Sequence, residues 1–132
     1  MPDRHELDRL LAGLRPQLAA ERYVYAVGPV PAGTLVFATV AEDEGLTVVL
    51  TRDEADAAGL RPQWLAGRIT LLVNSTLADV GLTATVSSRL AARGISCNVI
   101  AGLAHDHLFV PEDRAAEALE LLRQLAREAA SA

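Results

Sequence analysis

The sequence predicts an α+β fold of two halves, residues 1–65 and 66–132, each a mainly antiparallel sheet with helices packed on one face. Three observations predict it. Short runs rich in β-branched residues alternate with longer segments whose apolar positions recur at three- and four-residue steps. The chain is 51% hydrophobic but only 4% aromatic, so Leu, Val, Ile and Ala must fill the interior, which favours regular layers. Its 132 residues leave room for one or two subdomains and not three.

Taken in order, Leu7, Leu10, Leu11 and Leu14 mark an amphipathic helix over residues 3–14, which Pro16 stops. Tyr23–Val27 and Val36–Val40 read as strands, separated by the breaker-rich stretch 28–33. Glu42, Asp43, Glu44 and Gly45 make a hairpin tip, so strands at 35–41 and 46–50 are antiparallel neighbours. Thr51 caps a short helix with Asp53 and Glu54 in its first turn, and Gly59 closes it.

A loop around Pro62 and Gly67 leads to a strand at Ile69–Val73, then the polar link Asn74, Ser75, Thr76. A helix follows over Asp79–Arg93, ended by Gly94. Strands at Ile95–Ala101 and His107–Val110 and a long helix over Glu112–Ala129 complete a β-α-β-β-α order. The first half is a rearranged relative of that pattern.

Net charge is −5, and the twelve basic positions are all arginines scattered among acids. Nucleic acid requires a concentrated cationic footprint, so it is not expected as a partner. The one cysteine, Cys97, permits no internal disulfide, and residues 1–7 carry no leader-like apolar run, so a cytoplasmic setting is expected. No apolar run approaches the roughly 20 residues that span a bilayer, and no membrane partner is expected.

The run Val80–Ala101 resembles the ACT-domain signature, in which a glycine-containing turn, a helix and a Gly-Ile pair (Gly94, Ile95) lead into the next strand. Glu44–Leu50, Ile95–Val99 and His105–Pro111 further resemble small bacterial tandem-ACT proteins over roughly residues 5–127. The resemblance implies two ferredoxin-like halves sharing or abutting their sheets, related to the regulatory region of aspartate kinases. It also implies amino-acid binding at interfaces between ACT units and assembly as a homodimer; no nucleophile, base and stabiliser can be named together in the chain, so neither catalytic activity nor a cofactor is expected.

The residues themselves offer a site. Asn74, Ser75, Thr76, Asp79, Val80, Gly81, Leu82 and Thr83 place polar groups and free backbone N–H groups at a helix start, which suits a carboxylate. Asp79, Asn98 or the strand carbonyls from Asn98 through Val99 to Ile100 supply acceptors for an ammonium group, with His105 close by in sequence. The competing reading is that Ser75 or Thr76 and Asp79 merely cap the helix. The acidic turn from Thr51 to Asp53 repels a carboxylate, so the second half is expected to dominate.

Other candidates read as structural. His105 and His107 project to one side of a strand, but two ligands are too few for a metal. Cys97 sits among apolar neighbours as a small hydrophobe. Ser87 and Ser88 lack a nucleophile turn, Glu42 to Glu44 form a solvated tip, and Trp64 fills the junction or covers a groove there. The Asn74-Ser75-Thr76 glycosylation triplet is discounted for a cytoplasmic chain. Partners then remain an amino acid or similar metabolite, another copy, or a partner enzyme; the alternative function is an interaction or oligomerisation module without a small ligand.

Overall fold

A computed structural model describes residues 4–76 and 79–132. The elements are α1 (Arg4–Ala12), β1 (Pro16–Leu18), β2 (Tyr23–Val27), β3 (Ala38–Glu42), β4 (Gly45–Thr51), α2 (Arg52–Ala57), β5 (Trp64–Leu71), α3 (Leu82–Ala91), β6 (Asn98–Ala101), β7 (Asp106–Pro111), a 3-10 turn at Glu112–Arg114 and α4 (Ala115–Ala130). The strands form one sheet in the order β3-β4-β2-β5-β7-β6, with β1 also on β5. Every pairing is antiparallel.

β5 joins the halves. Trp64 to Ala66 pair with β2, while Ile69 to Leu71 pair with β1 on the same edge. Ala19 bridges the gap, its N–H donating to the Arg68 carbonyl at 2.9 Å. The division at residue 65 falls inside this strand.

A ferredoxin-like unit runs β-α-β-β-α-β. In the second half β5, α3, β6, β7 and α4 supply five of the six elements, and β1 from the start of the chain occupies the last strand's place beside β5. In the first half β2, β3, β4, α2 and the start of β5 supply the strands and one helix. Where its other helix would stand, an extended segment from Gly28, joined to Pro29 by a cis peptide, runs to Phe37. Val30 and Val36 of that segment pack beside Val24, Val48 and Leu50, and the Leu35 N–H donates to Glu54 of α2 at 3.2 Å.

All helices lie on one face. Ile69, Leu71, Leu108 and Val110 point into a core shared with Leu11, Leu14, Val86, Leu90, Leu121, Leu122 and Leu125. By strand alternation, Val24 shares that face through its pairing with Leu65, two residues from Gly67, and meets Ala55 of α2.

The opposite face is concave. A flat sheet would hold β3 and β7 about 19 Å apart, four strand spacings. Yet the Phe37 ring, just before β3, lies 5.4 Å from Phe109 and 5.0 Å from His107 on β7. The sheet therefore curls, burying Tyr23, Val49, Ala66 and Phe109 without any helix over them.

Several boundaries differ from the sequence reading, each for a tertiary reason. β5 begins at Trp64 and carries Gly67 in its middle rather than in a loop, because the missing side chain admits α4. It ends at Leu71, and the N–H groups of Leu72 and Val73 turn to the carbonyls of Arg15 and Leu14. α3 starts at Leu82, three residues beyond Asp79. Ile95 is buried in the helical core, so β6 is shortened to Asn98–Ala101. Strand β1 has three residues and no readable pattern. α2 is as expected: the Thr51 hydroxyl accepts from the Glu54 N–H, and Gly59 follows at φ +71°.

Candidate functional site

The expected site begins where β5 leaves the sheet. Val73 is buried against the helical core, Asn74 and Thr76 are exposed, and Ser75 is half-buried. The Asp79 carboxylate accepts from the Thr76 N–H at 2.6 Å, and the Asp79 N–H donates back to the Thr76 carbonyl at 3.1 Å. Asp79 thus closes the turn instead of capping the helix, which corrects one of the two readings above. Leu77 and Ala78 lie outside the described residues.

Gly81 stands at the N-cap with φ +97°, a left-handed conformation that glycine adopts freely, and no side chain caps α3. The carbonyl of Gly81 accepts from the Thr85 N–H and hydroxyl. Leu82 is buried beneath the helix, whereas Val80 is 62% exposed and Thr83 also faces out. Among the described residues no side-chain acceptor meets the positive end of the α3 dipole.

Beside this turn lies a hollow of about 410 Å³ between α1 and the end of β5, lined by Glu6, Arg9, Leu10, Gly13, Arg15, Val73 and Asn74. Arg15 reaches the Leu72 carbonyl at 3.2 Å. The hollow combines two guanidinium groups, one carboxylate and apolar side chains. Sequence reasoning missed the α1 contribution, since those residues precede the turn by about sixty positions and are brought there by the packing of α1 on α4 and by the pairing of β1 with β5.

The strand part of the expected site is only partly brought to the turn. Ala101 and Leu71 both pair with Asp106, so the end of β6 is level with the start of the turn. Asn98 and Ile100 alternate with Val99, which packs against the helical core, so their side chains point to the concave face, away from α3. What β6 offers is its outer edge, which no described strand covers.

His105 lies in the tight connection from β6 to β7, where its carbonyl accepts from the Gly102 N–H and its Nδ1 is buried without a partner. His107 pairs its Nδ1 with the Thr70 hydroxyl at 2.9 Å and stacks edge-on with Phe37. Burial, and then the Arg68 and His105 charges, hold its pKa below the ordinary histidine value, against Asp106. Arg68 sits 4.9 Å over the Tyr23 ring and 5.1 Å over Phe37.

Cys97 packs against the helical core, and burial pushes its thiol up to about 11, which disfavours the thiolate a nucleophile requires. Ser87 turns its hydroxyl back to Thr83 within α3, Ser88 is exposed, and Glu42 accepts from Thr47 beside the hairpin tip. Trp64 packs edge-on against Tyr25 at 5.3 Å, at the junction. Among the described residues no three His, Cys, Asp or Glu side chains converge as a metal site would require, and no helix is long and apolar enough to cross a membrane.

Two family models, each described as an ACT domain, match residues 3–66 and 67–124. A Vibrio cholerae protein of unknown function is similar at 42% identity over 91% of this chain and 95% of its own, with a TM-score of 0.80. The ligand-free regulatory subunit of aspartate kinase from Thermus thermophilus shares the fold at 12% identity, covering 86% of this chain and 97% of its own, with a TM-score of 0.68. E. coli aspartokinase III in complex with aspartate and ADP shares it at 12% identity over 86% of this chain and 33% of its own, with a TM-score of 0.60. No curated protein matches the sequence.

Proposed function

Since the chain belongs to the ACT-domain family, as a tandem of two ACT domains, we propose that it is a regulatory module that binds an amino acid or similar small metabolite at the turn opening α3. Two observations carry this reading: the hollow where Arg9 and Arg15 stand beside Asn74, and the start of α3, which no side chain among the described residues caps. A carboxylate there meets guanidinium groups and the amides of Leu82 and Thr83 around Gly81. The ammonium group goes to Glu6, to Asp79, or to the strand carbonyls from Asn98 to Ile100 beside His105, with Ser75, Thr76 and Val80 along the rim. The likeness to the regulatory subunit of aspartate kinase, which covers nearly the whole of both chains, lends the regulatory reading its support.

The first half has no counterpart of this turn, because the segment from Gly28 to Phe37 replaces the helix it would open. Copies associate as a homodimer through the open edges of β3 and β6, and a partner enzyme receives the signal. The setting is cytoplasmic, with neither nucleic acid nor membrane as partner and no catalysis by the chain itself.

A thermal-shift screen against the twenty amino acids tests the reading, because a ligand that binds only the folded state raises its melting temperature. A rise with one compound, lost in Arg9→Gln and Asp79→Asn, is expected. Silence throughout removes this reading and favours the alternative, a protein-interaction module without a small ligand. The exposed Val80, Leu103 and Leu35, at 62%, 87% and 74%, favour that alternative.

A further inference from the structure

The helical layer has a gap at the junction of the halves. β5 turns Leu65, Gly67, Ile69 and Leu71 toward the helices by alternation. Ile69 and Leu71 are sealed and Gly67 is buried, but Leu65 is 40% exposed. The reason is topological: α2 packs on β2 and β4, whereas α4 packs on β1, β5 and β7. Between them lies a cleft of about 830 Å³ with Leu65 and Pro111 in its lining.

Beside the uncharged Pro62, Gln63 and Trp64, its other walls carry charges of opposite sign. The first half contributes Arg52 and Arg61, and the turn after β7 contributes Glu112 and Asp113. Neither arginine has an ion-pair partner among the described residues, and neither does Asp113. Glu112 is held from outside the cleft by Arg22, Nε to Oε1 at 3.1 Å, while its Oε2 is buried with no donor. A shielded carboxylate oxygen without a donor is unfavourable unless something supplies one.

We propose that this cleft is a second binding site, separate from the turn at α3, and that it takes a small zwitterion with an aliphatic body. The ligand carboxylate faces Arg52 and Arg61, its ammonium group donates to Glu112 and Asp113, and its apolar body lies over Leu65 and Pro111. A ligand of one charge satisfies one wall and is repelled by the other, so the cleft selects molecules that carry both. Both halves supply walls, so occupancy fixes their junction.

The test is a titration of the ¹⁵N-labelled full chain with leucine and with its two single-charge relatives, 3-methylbutylamine and 4-methylpentanoate. Leucine is expected to shift the amides of Arg61, Leu65 and Asp113 saturably, with each relative about tenfold weaker or more. Arg61→Gln and Asp113→Asn, both at exposed positions, are each expected to weaken leucine about tenfold, while Asp43→Asn at the hairpin tip between β3 and β4, outside the cleft lining, leaves it unchanged. Three results overturn the proposal: no shift up to about 20 mM leucine, a concentration far weaker than the millimolar end of specific binding; a relative that binds as well as leucine; or shifts confined to Val80 and Gly81. The last places the ligand at the α3 turn and so sustains the function proposed above while removing this second site.

Discussion

Gly67 in the middle of β5 and Ala115 at the start of α4 meet so closely that a Cβ on Gly67 would stand 2.7 Å from the Cβ of Ala115. Neither atom lies at the end of a flexible side chain, so relief requires strand or helix to shift. Gly67→Ala is expected to destabilise the fold by about 1–3 kcal/mol through overpacking. Urea unfolding measures it, and Ala115→Gly in the same chain should recover part of the loss. An unchanged midpoint in Gly67→Ala would show that α4 is not seated on this strand.

Residues 4–18 belong, in space, to the second half. Leu11 and Leu14 are 5% and 0% exposed within its core, and β1 closes one edge of β5. Deleting residues 1–18 removes two buried leucines and bares a sheet edge, so loss of cooperative unfolding in the remainder is expected. A dispersed amide spectrum with an unchanged melting temperature would contradict it. Supplying the deleted segment as a peptide should restore structure in part.

Acid should loosen the concave face. The folded-state pKa of His107 is lowered, chiefly by burial, from a starting value of 6.5. Above that value both states are neutral at this residue, and stability does not depend on it. As pH falls below about 6.5 the unfolded chain takes up the proton before the folded one, so stability falls. Urea midpoints at pH 7.5 and 5.5 should differ more in the native chain than in His107→Gln; equal differences would show that His107 contributes nothing to the acid sensitivity.

With its thiol pushed up to about 11 by burial, Cys97 should be alkylated slowly. At pH 8 the thiolate fraction implies a reaction with iodoacetamide about a hundredfold slower than that of a free cysteine. Mass spectrometry follows it, and a rate near that of a model thiol would mean that the side chain is freely exposed.

Much of this fold was legible because its signals are local. Thr51 and Gly59 bracket α2, the acidic tip between β3 and β4 fixes a hairpin, and the leucines of α4 repeat on one face. What escaped reading depends on distant partners. Gly67 reads as a breaker, and only the presence of Ala115 explains why a strand needs it. Phe37 looks like part of an edge strand, yet it rolls onto Phe109 because the sheet curls. Pro16 to Leu18 carry no pattern of their own and become a strand only because β5 offers a free edge.

The candidate site was legible to the same extent. The turn from Asn74 to Gly81 announces itself by composition, but its charged wall comes from Arg9 and Arg15, which no local signal connects to it. The side of the sheet that Asn98 takes was legible too: it alternates with Val99, and the apolar residue of such a pair takes the core side.

The order of elements along the chain is a rotation of their order in space. α1 and β1 are read first, yet they stand where the second half would finish, with α1 against α4. A chain opened between Leu18 and Tyr23, with α1 and β1 carried over to follow α4, would list the elements of the second half without interruption, β5 still serving both halves. The second half is thus split in sequence by the first, and its core closes only when α1 and α4 meet across the length of the chain.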